Sequence, residues 1–208
     1  MFNFVNRRVY EFLRDIGKAH VYMAMTAINK SKYLHGYHGL EHVLKTLNTL
    51  HYTRVEPFVC DIAEALIFHD SGYLTPCDDE RNTRQALHDY SFYNSNPRVH
   101  TLIKCLCYPY KNEPQNDAER LIRDCDHSMF LYKDHLTTLF ERLLSVEFCI
   151  DFGCQMDIER AKESTETYLR SVMFYNADLS AMWTLAVRDD LIRNTNTYLD
   201  GMFAKHRR

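Results

Sequence analysis

With 208 residues the chain has the length of one ordinary domain, enough to bury roughly 70% of its unfolded surface without disulfides or a structural metal. Hydrophobic residues make up 46% and charged residues 25%, which excludes a disordered chain, and 6 Gly with 5 Pro supply too few turns for an all-β fold. A formal net charge of −3, with only the short basic tail Lys205 to Arg208, argues against nucleic acid as a partner.

In chain order, MFNFVNRRVYEFLRD contains no apolar signal-peptide core, and no later stretch approaches the roughly 18 apolar residues of a membrane span. The expectation is a cytoplasmic protein without membrane contact. Its seven cysteines are odd in number and lack zinc-finger spacing, so they read as reduced, packed thiols. Leu40, Val43, Leu44, Leu47 and Leu50 mark an amphipathic helix. Glu56 to Asp70 reads as the next, with Phe58, Ile62, Ala65 and Leu66 on one side and His69 in the middle of it. Further helices are predicted over 79–93, 97–107 and 118 to about 132, the last capped by Asn116 or Asp117. Three more follow over about 134–150, 157–174 and 179–204. Gly36, Gly39 and Gly72 flank the two His-bearing segments, where a pocket needs the backbone to turn.

Chemistry-bearing residues recur in a definite order. His38 and His42 stand four apart, a spacing that shares one helix face. Then come His69-Asp70, 27 positions after His42, and Asp126 inside Arg123-Asp124-Cys125-Asp126-His127. Composition alone yields about one His-Asp pair by chance, and the chain holds two. His88-Asp89 shares its side with Arg81, Arg84 and Gln85, a solvated face, whereas His69 closes an apolar stripe where an unpartnered imidazole is costly. Asp126 lies beside Ile122, Cys125 and Met129; Asp124 points to the polar side and reads as a solvated acid or a supporting group. His42 sits beside Thr46 and Thr49, which suits a polar cleft wall or an ordinary surface. Two imidazoles and two carboxylates form a borderline-hard donor set for one divalent metal ion: Mn, Fe, Co, Ni or Zn, and Mg more weakly.

This order resembles the HD superfamily of metal-dependent phosphohydrolases, in particular a bacterial and viral group of predicted HD phosphohydrolases. That group's Tyr-His-Asn-Leu-x-His is matched by Tyr37 to His42 with Gly39 in the Asn place, and its Phe-His-Asp-x-x-Tyr by Phe68 to Tyr73. Its Asp-Asn-Glu resembles Asp78-Asp79-Glu80, and its Asp-Ala-Asp-Leu resembles Asp124 to His127. Fainter likenesses at Glu147-Phe148 and Ala186 to Leu191 extend the match over roughly 30 to 195. The resemblance implies an all-α fold, a compact HD-domain helical bundle with the metal between helices. The domain is expected to span 1–208, with a core at about 30–135 and a C-terminal helical extension packed on it. The implied metal ligands are His42, His69, Asp70 and Asp126, and His38 is the implied proton donor. The chain departs from the group in having no His between His100 and Asp126, so a mononuclear site is expected.

A coordinated cation lowers the pKa of its water from 15.7 toward neutrality and neutralises charge on phosphoryl oxygens. The resulting expectation is hydrolysis of a phosphoester or phosphoanhydride in a small nucleotide, with Asp70 orienting the nucleophile and His38, Asp79 or Glu80 as proton donor. Asp78-Asp79-Glu80 also reads as a helix N-terminal acidic run. Arg81, Arg84, Lys104 and Lys111 are phosphate-clamp candidates on what reads as a solvated face, while Tyr37 and Tyr73 could stack on a base. The alternative is a catalytically weak or inactive HD fold that binds or sequesters a nucleotide. An HD-fold diiron oxygenase requires extra His ligands that the chain lacks. Phe130, Leu131 and the aromatic-rich last helices read as apolar surface for a possible homo-oligomer.

Overall fold

Helices form wherever apolar residues recur at three- and four-residue spacing. A computed structural model describes residues 2–19, 38–53, 58–71, 79–110, 112–131 and 158–206, and among these there are nine α-helices, one 3-10 turn and no strand. The architecture is all-α. Gly36, Tyr37, Gly72, Tyr73, Asp78, Lys111, Glu147, Phe148 and the predicted 134–150 helix lie outside the described residues.

Helix α1 (Phe2–Asp15) ends at Gly17, whose φ of 71° is the left-handed conformation that a glycine adopts at least cost. The reversed backbone lets Lys18 N–H reach back to the Leu13 carbonyl at 2.6 Å. Helix α2 (Leu40–Tyr52) buries Val43, Leu44, Leu47 and Leu50, and packs on α1. Helix α3 (Val59–Phe68) is buried on nearly every side, as its apolar composition demands. Its observed start lies inside the predicted one at Glu56, and residues 54–57 are outside the described set.

Around α3 stand α2, α4 (Asp79–Tyr93), α5 (Pro97–Cys105) and α6 (Asp117–His127), all in contact with it. Asn82, Ala86 and Tyr90, four apart, form the buried stripe of α4. Asn96 caps α5 by accepting the Arg98 N–H, with Pro97 in the first turn where its missing donor is harmless. The predicted 97–107 helix thus ends two residues early. Asn116, rather than Asp117, caps α6: its side chain accepts the Glu119 N–H at 3.0 Å, while the Glu119 carboxylate accepts the Gln115 N–H at 2.8 Å. Beyond His127 the helix tightens into the 3-10 turn Ser128–Leu131.

Leu, Ile, Val and Phe side chains of α1 to α6, from Val9 to Cys125, share one core. Burying each contributes about 1.5–3 kcal/mol. Inside this core Glu64 is 2% exposed, and its carboxylate accepts from Tyr90 Oη at 2.8 Å and pairs with the Lys18 ammonium. A second cluster joins Met129 and Phe130 to α7 (Ile158–Ser171), α8 (Ala177–Met182) and α9 (Leu185–His206). Phe130 is buried there against Tyr168 and Trp183, so the apolar surface read for it is covered within the chain. The predicted 179–204 helix is two helices. Trp183 leaves helical geometry so that its indole N–H donates to the Val172 carbonyl at 3.1 Å, and Thr184 Oγ1 recaps the chain by accepting the Val187 N–H. No helix among the described residues is long and apolar enough to cross a membrane.

Candidate metal centre

Three helix ends meet here. His42 enters from the first turn of α2, His69 is the C-cap of α3, Asp70 follows it in a turn, and Asp126 comes from the last turn of α6. His42 is 1% exposed, which removes the surface alternative for it, and Thr46 and Thr49 beside it are buried too. His42 Nε2 lies 3.1 Å from His69 Nε2, 2.9 Å from Asp126 Oδ1 and 3.4 Å from Asp70 Oδ2. His69 Nε2 lies 3.0 Å from Asp70 Oδ2 and 3.4 Å from Asp126 Oδ1. The donor atoms of His42, His69 and Asp70 fall within 4.8 Å of one another, a group that could hold a metal ion.

Tautomers make the cluster more informative than its distances. His69 Nδ1 sits 2.8 Å from the Leu66 carbonyl, and His42 Nδ1 sits 3.0 Å from the Met129 thioether. Both partners can only accept, so the Nδ1–H of each ring can donate to them, which leaves each Nε2 facing inward. Two Nε2 atoms and two carboxylate oxygens then lie around one point. Ligands about 2.1 Å from a common ion stand about 3.0 Å apart at right angles and about 3.4 Å apart at the tetrahedral angle. The observed separations span that interval. Asp70 Oδ2 is, in addition, a buried oxygen with no hydrogen bond among the described residues, since its approach to His69 lacks hydrogen-bond geometry. The donors of His42, His69 and Asp70 fit a single divalent cation, and Asp126 Oδ1 lies close to both imidazoles.

Proton distribution in the cation-free cluster follows the same logic. Burial pushes His69 down, but Asp70 and Asp126 outweigh it and hold the imidazole well above its usual range. Burial pushes Asp126 up, yet hydrogen bonds and charge from His42 and His69 hold it well below the carboxylate range. Asp70 is lowered likewise, with His69 and His38 overcoming burial.

Compared with family models, curated proteins and solved structures, the chain matches none of them.

Of the remaining candidates, His38 and Asp79 border the cluster. The ring of His38 is 6.3 Å from that of His42. Asp79 is raised by burial and by the charges of Asp70 and Asp126, while His38 and a backbone hydrogen bond at Tyr108 pull it down. Glu80, the next residue of α4, turns away. It is exposed, pairs with Arg84, and with Arg84 and Lys104 lines a groove of about 800 Å³ that contains none of the four ligands. Arg81 is exposed. His88 is exposed and stacks on Phe92, as its solvated helix face predicts.

Of the two readings of Asp124, a solvated acid or a supporting group, the structure excludes the solvated one. It is 1% exposed, and its two oxygens accept the backbone N–H groups of Tyr175 at 2.8 Å and Asn176 at 2.7 Å. The polar side of α6 is covered by the loop before α8, which helix periodicity cannot reveal. Sequence reasoning also passed over His127. Its Nε2 accepts from Tyr110 Oη and its Nδ1–H donates to the Met173 carbonyl at 3.3 Å, so this imidazole next to Asp126 has neither nitrogen free for a metal. Arg123 lies 4.2 Å from the centre of the Tyr110 ring and donates to the carbonyls of Cys105 and Asn112.

Proposed function

We propose that this chain is a mononuclear, metal-dependent phosphohydrolase of the HD type, cleaving a phosphoester or phosphoanhydride bond of a small nucleotide. The observation that carries the reading is the cluster of His42, His69 and Asp70, joined by Asp126, with both imidazoles turning Nε2 inward. The donor set suits Mn, Fe, Co, Ni or Zn, and Mg less well. A cation bound there would supply Lewis acidity toward phosphoryl oxygens and an acidified water.

The chain's own residues do the rest. Asp70 offers one oxygen to the cluster and is positioned to orient the attacking water with its carboxylate. His38 and Asp79 border the cluster, close enough that the charge of His38 acts on the Asp79 carboxyl. There His38 can give a proton to the departing oxygen while Asp79 holds the imidazole in register. Glu80 takes no part, since it faces the other groove. Nucleotide as the substrate class rests on the HD resemblance of Tyr37 to His42 and Phe68 to Tyr73.

The test is an assay of nucleoside mono-, di- and triphosphates with Mn, Co and Mg, comparing wild type with Asp70→Ala and Asp70→Asn. Turnover is expected in wild type alone, lowered at least about 100-fold in both variants. Undiminished turnover in a folded variant would reject the assignment. A binding module without turnover is the second reading, motivated by the departure from the resembled group in having no His between His100 and Asp126. Nucleotide heat in calorimetry with no product under any metal would select it.

A further inference from the structure

The two imidazoles of the cluster are supported unequally. His69 donates its Nδ1–H to a carbonyl oxygen, that of Leu66, the kind of strong acceptor usually found behind a metal-binding histidine. His42 has instead the sulfur of Met129, at 3.0 Å, in a fully buried contact. A thioether is a weaker acceptor than a carbonyl oxygen. Met129 itself stands in the 3-10 turn after α6 and belongs to the second hydrophobic cluster, with Phe130, Leu169 and Leu199. The contact therefore hands the orientation of a ligand in the first core to a side chain packed in the second.

We propose that Met129 is the positioning residue of the metal centre: its sulfur, against Nδ1, holds His42 with Nε2 toward the other donors. The proposal rests on the metal reading of the cluster. It makes His42 a donor through which packing of the C-terminal helices tunes metal affinity.

Acceptor strength and packing predict opposite orders of variants, which makes the proposal testable. Met129→Leu keeps the apolar volume and removes the acceptor; Met129→Gln keeps the length and supplies a stronger acceptor. Zn²⁺ alone, titrated against a chromophoric chelator, should bind about 10-fold more weakly to Met129→Leu and at least as tightly to Met129→Gln as to wild type. Leu binding like wild type with Gln the weakest would overturn the proposal, because that is the order a space-filling role produces. Histidine ¹⁵N spectra of the metal-free wild type provide the second measurement. A protonated Nδ1 on His42 supports the contact and an unprotonated one overturns it. That result stands whether or not wild type binds Zn²⁺, so failure of the metal reading is told apart from failure of the Met129 contact.

Discussion

Burial alone would strip His69 of its proton; between Asp70 and Asp126 it keeps it. A group whose folded pKa is raised contributes stability that is complete below the unfolded value, about 6.5 for histidine, and disappears as pH climbs through the folded value. For Asp126 and Asp70, lowered on folding, the contribution is complete above about 3.9 and is lost as pH falls through the folded values. The metal-free protein should therefore be most stable between about pH 4 and 6.5, and urea midpoints should fall from pH 6.5 upward. His69→Gln should flatten that alkaline slope. Saturating Zn²⁺ should reverse it, since metal displaces the same proton. An unchanged slope in the variant would refute this account. At this scale the sequence was informative about the ligands, because each is a polar residue at the end or border of an apolar stripe. It was silent on Met129, Tyr110 and His127, whose roles depend on contacts between residues as many as 87 positions apart.

Helix ends position the site, so caps matter more here than in helix interiors. Asn116 and Glu119 form a reciprocal cap at the start of α6, three turns ahead of Asp126. Asn116→Ala should cost about 1 kcal/mol in urea denaturation. A loss under a few tenths would indicate that solvent replaces the cap. Such signals explain which elements could be read in advance: 79–93 and the start of 97–105 carry acidic, Asn or Pro markers in the right order. The break at Trp183-Thr184 has no Gly or Pro to announce it. It arises from an indole seeking a carbonyl and a ring stack, both properties of the packed second cluster.

Across the molecule, two cores share α6 and its 3-10 extension, and Asp124 fastens them. Its carboxylate, raised by burial, still accepts two backbone N–H groups from the loop that opens α8. Hydrogen bonds to a charged group contribute about 1.5–3 kcal/mol each, so Asp124→Ala should lose about 3 kcal/mol, concentrated in the C-terminal helices. Trp183 is the one tryptophan of the chain and sits in the second cluster. In the variant its fluorescence should change at lower urea than the far-ultraviolet circular dichroism. Coincident transitions would show that Asp124 does not join the cores. Periodicity located the first core through α2, α3 and α6; it could not reveal that a carboxylate on the polar side of α6 anchors the second.

Lys18 reaches Glu64 only because the left-handed turn at Gly17 redirects the backbone after α1. A polypeptide shortened to begin beyond that turn would leave an anion enclosed with the neutral donors Tyr90 and Asn94 and without its counter-charge. The amino-terminal helix is thus a fixed part of the scaffold, and trimming it would undermine the segment from which His69 and Asp70 project.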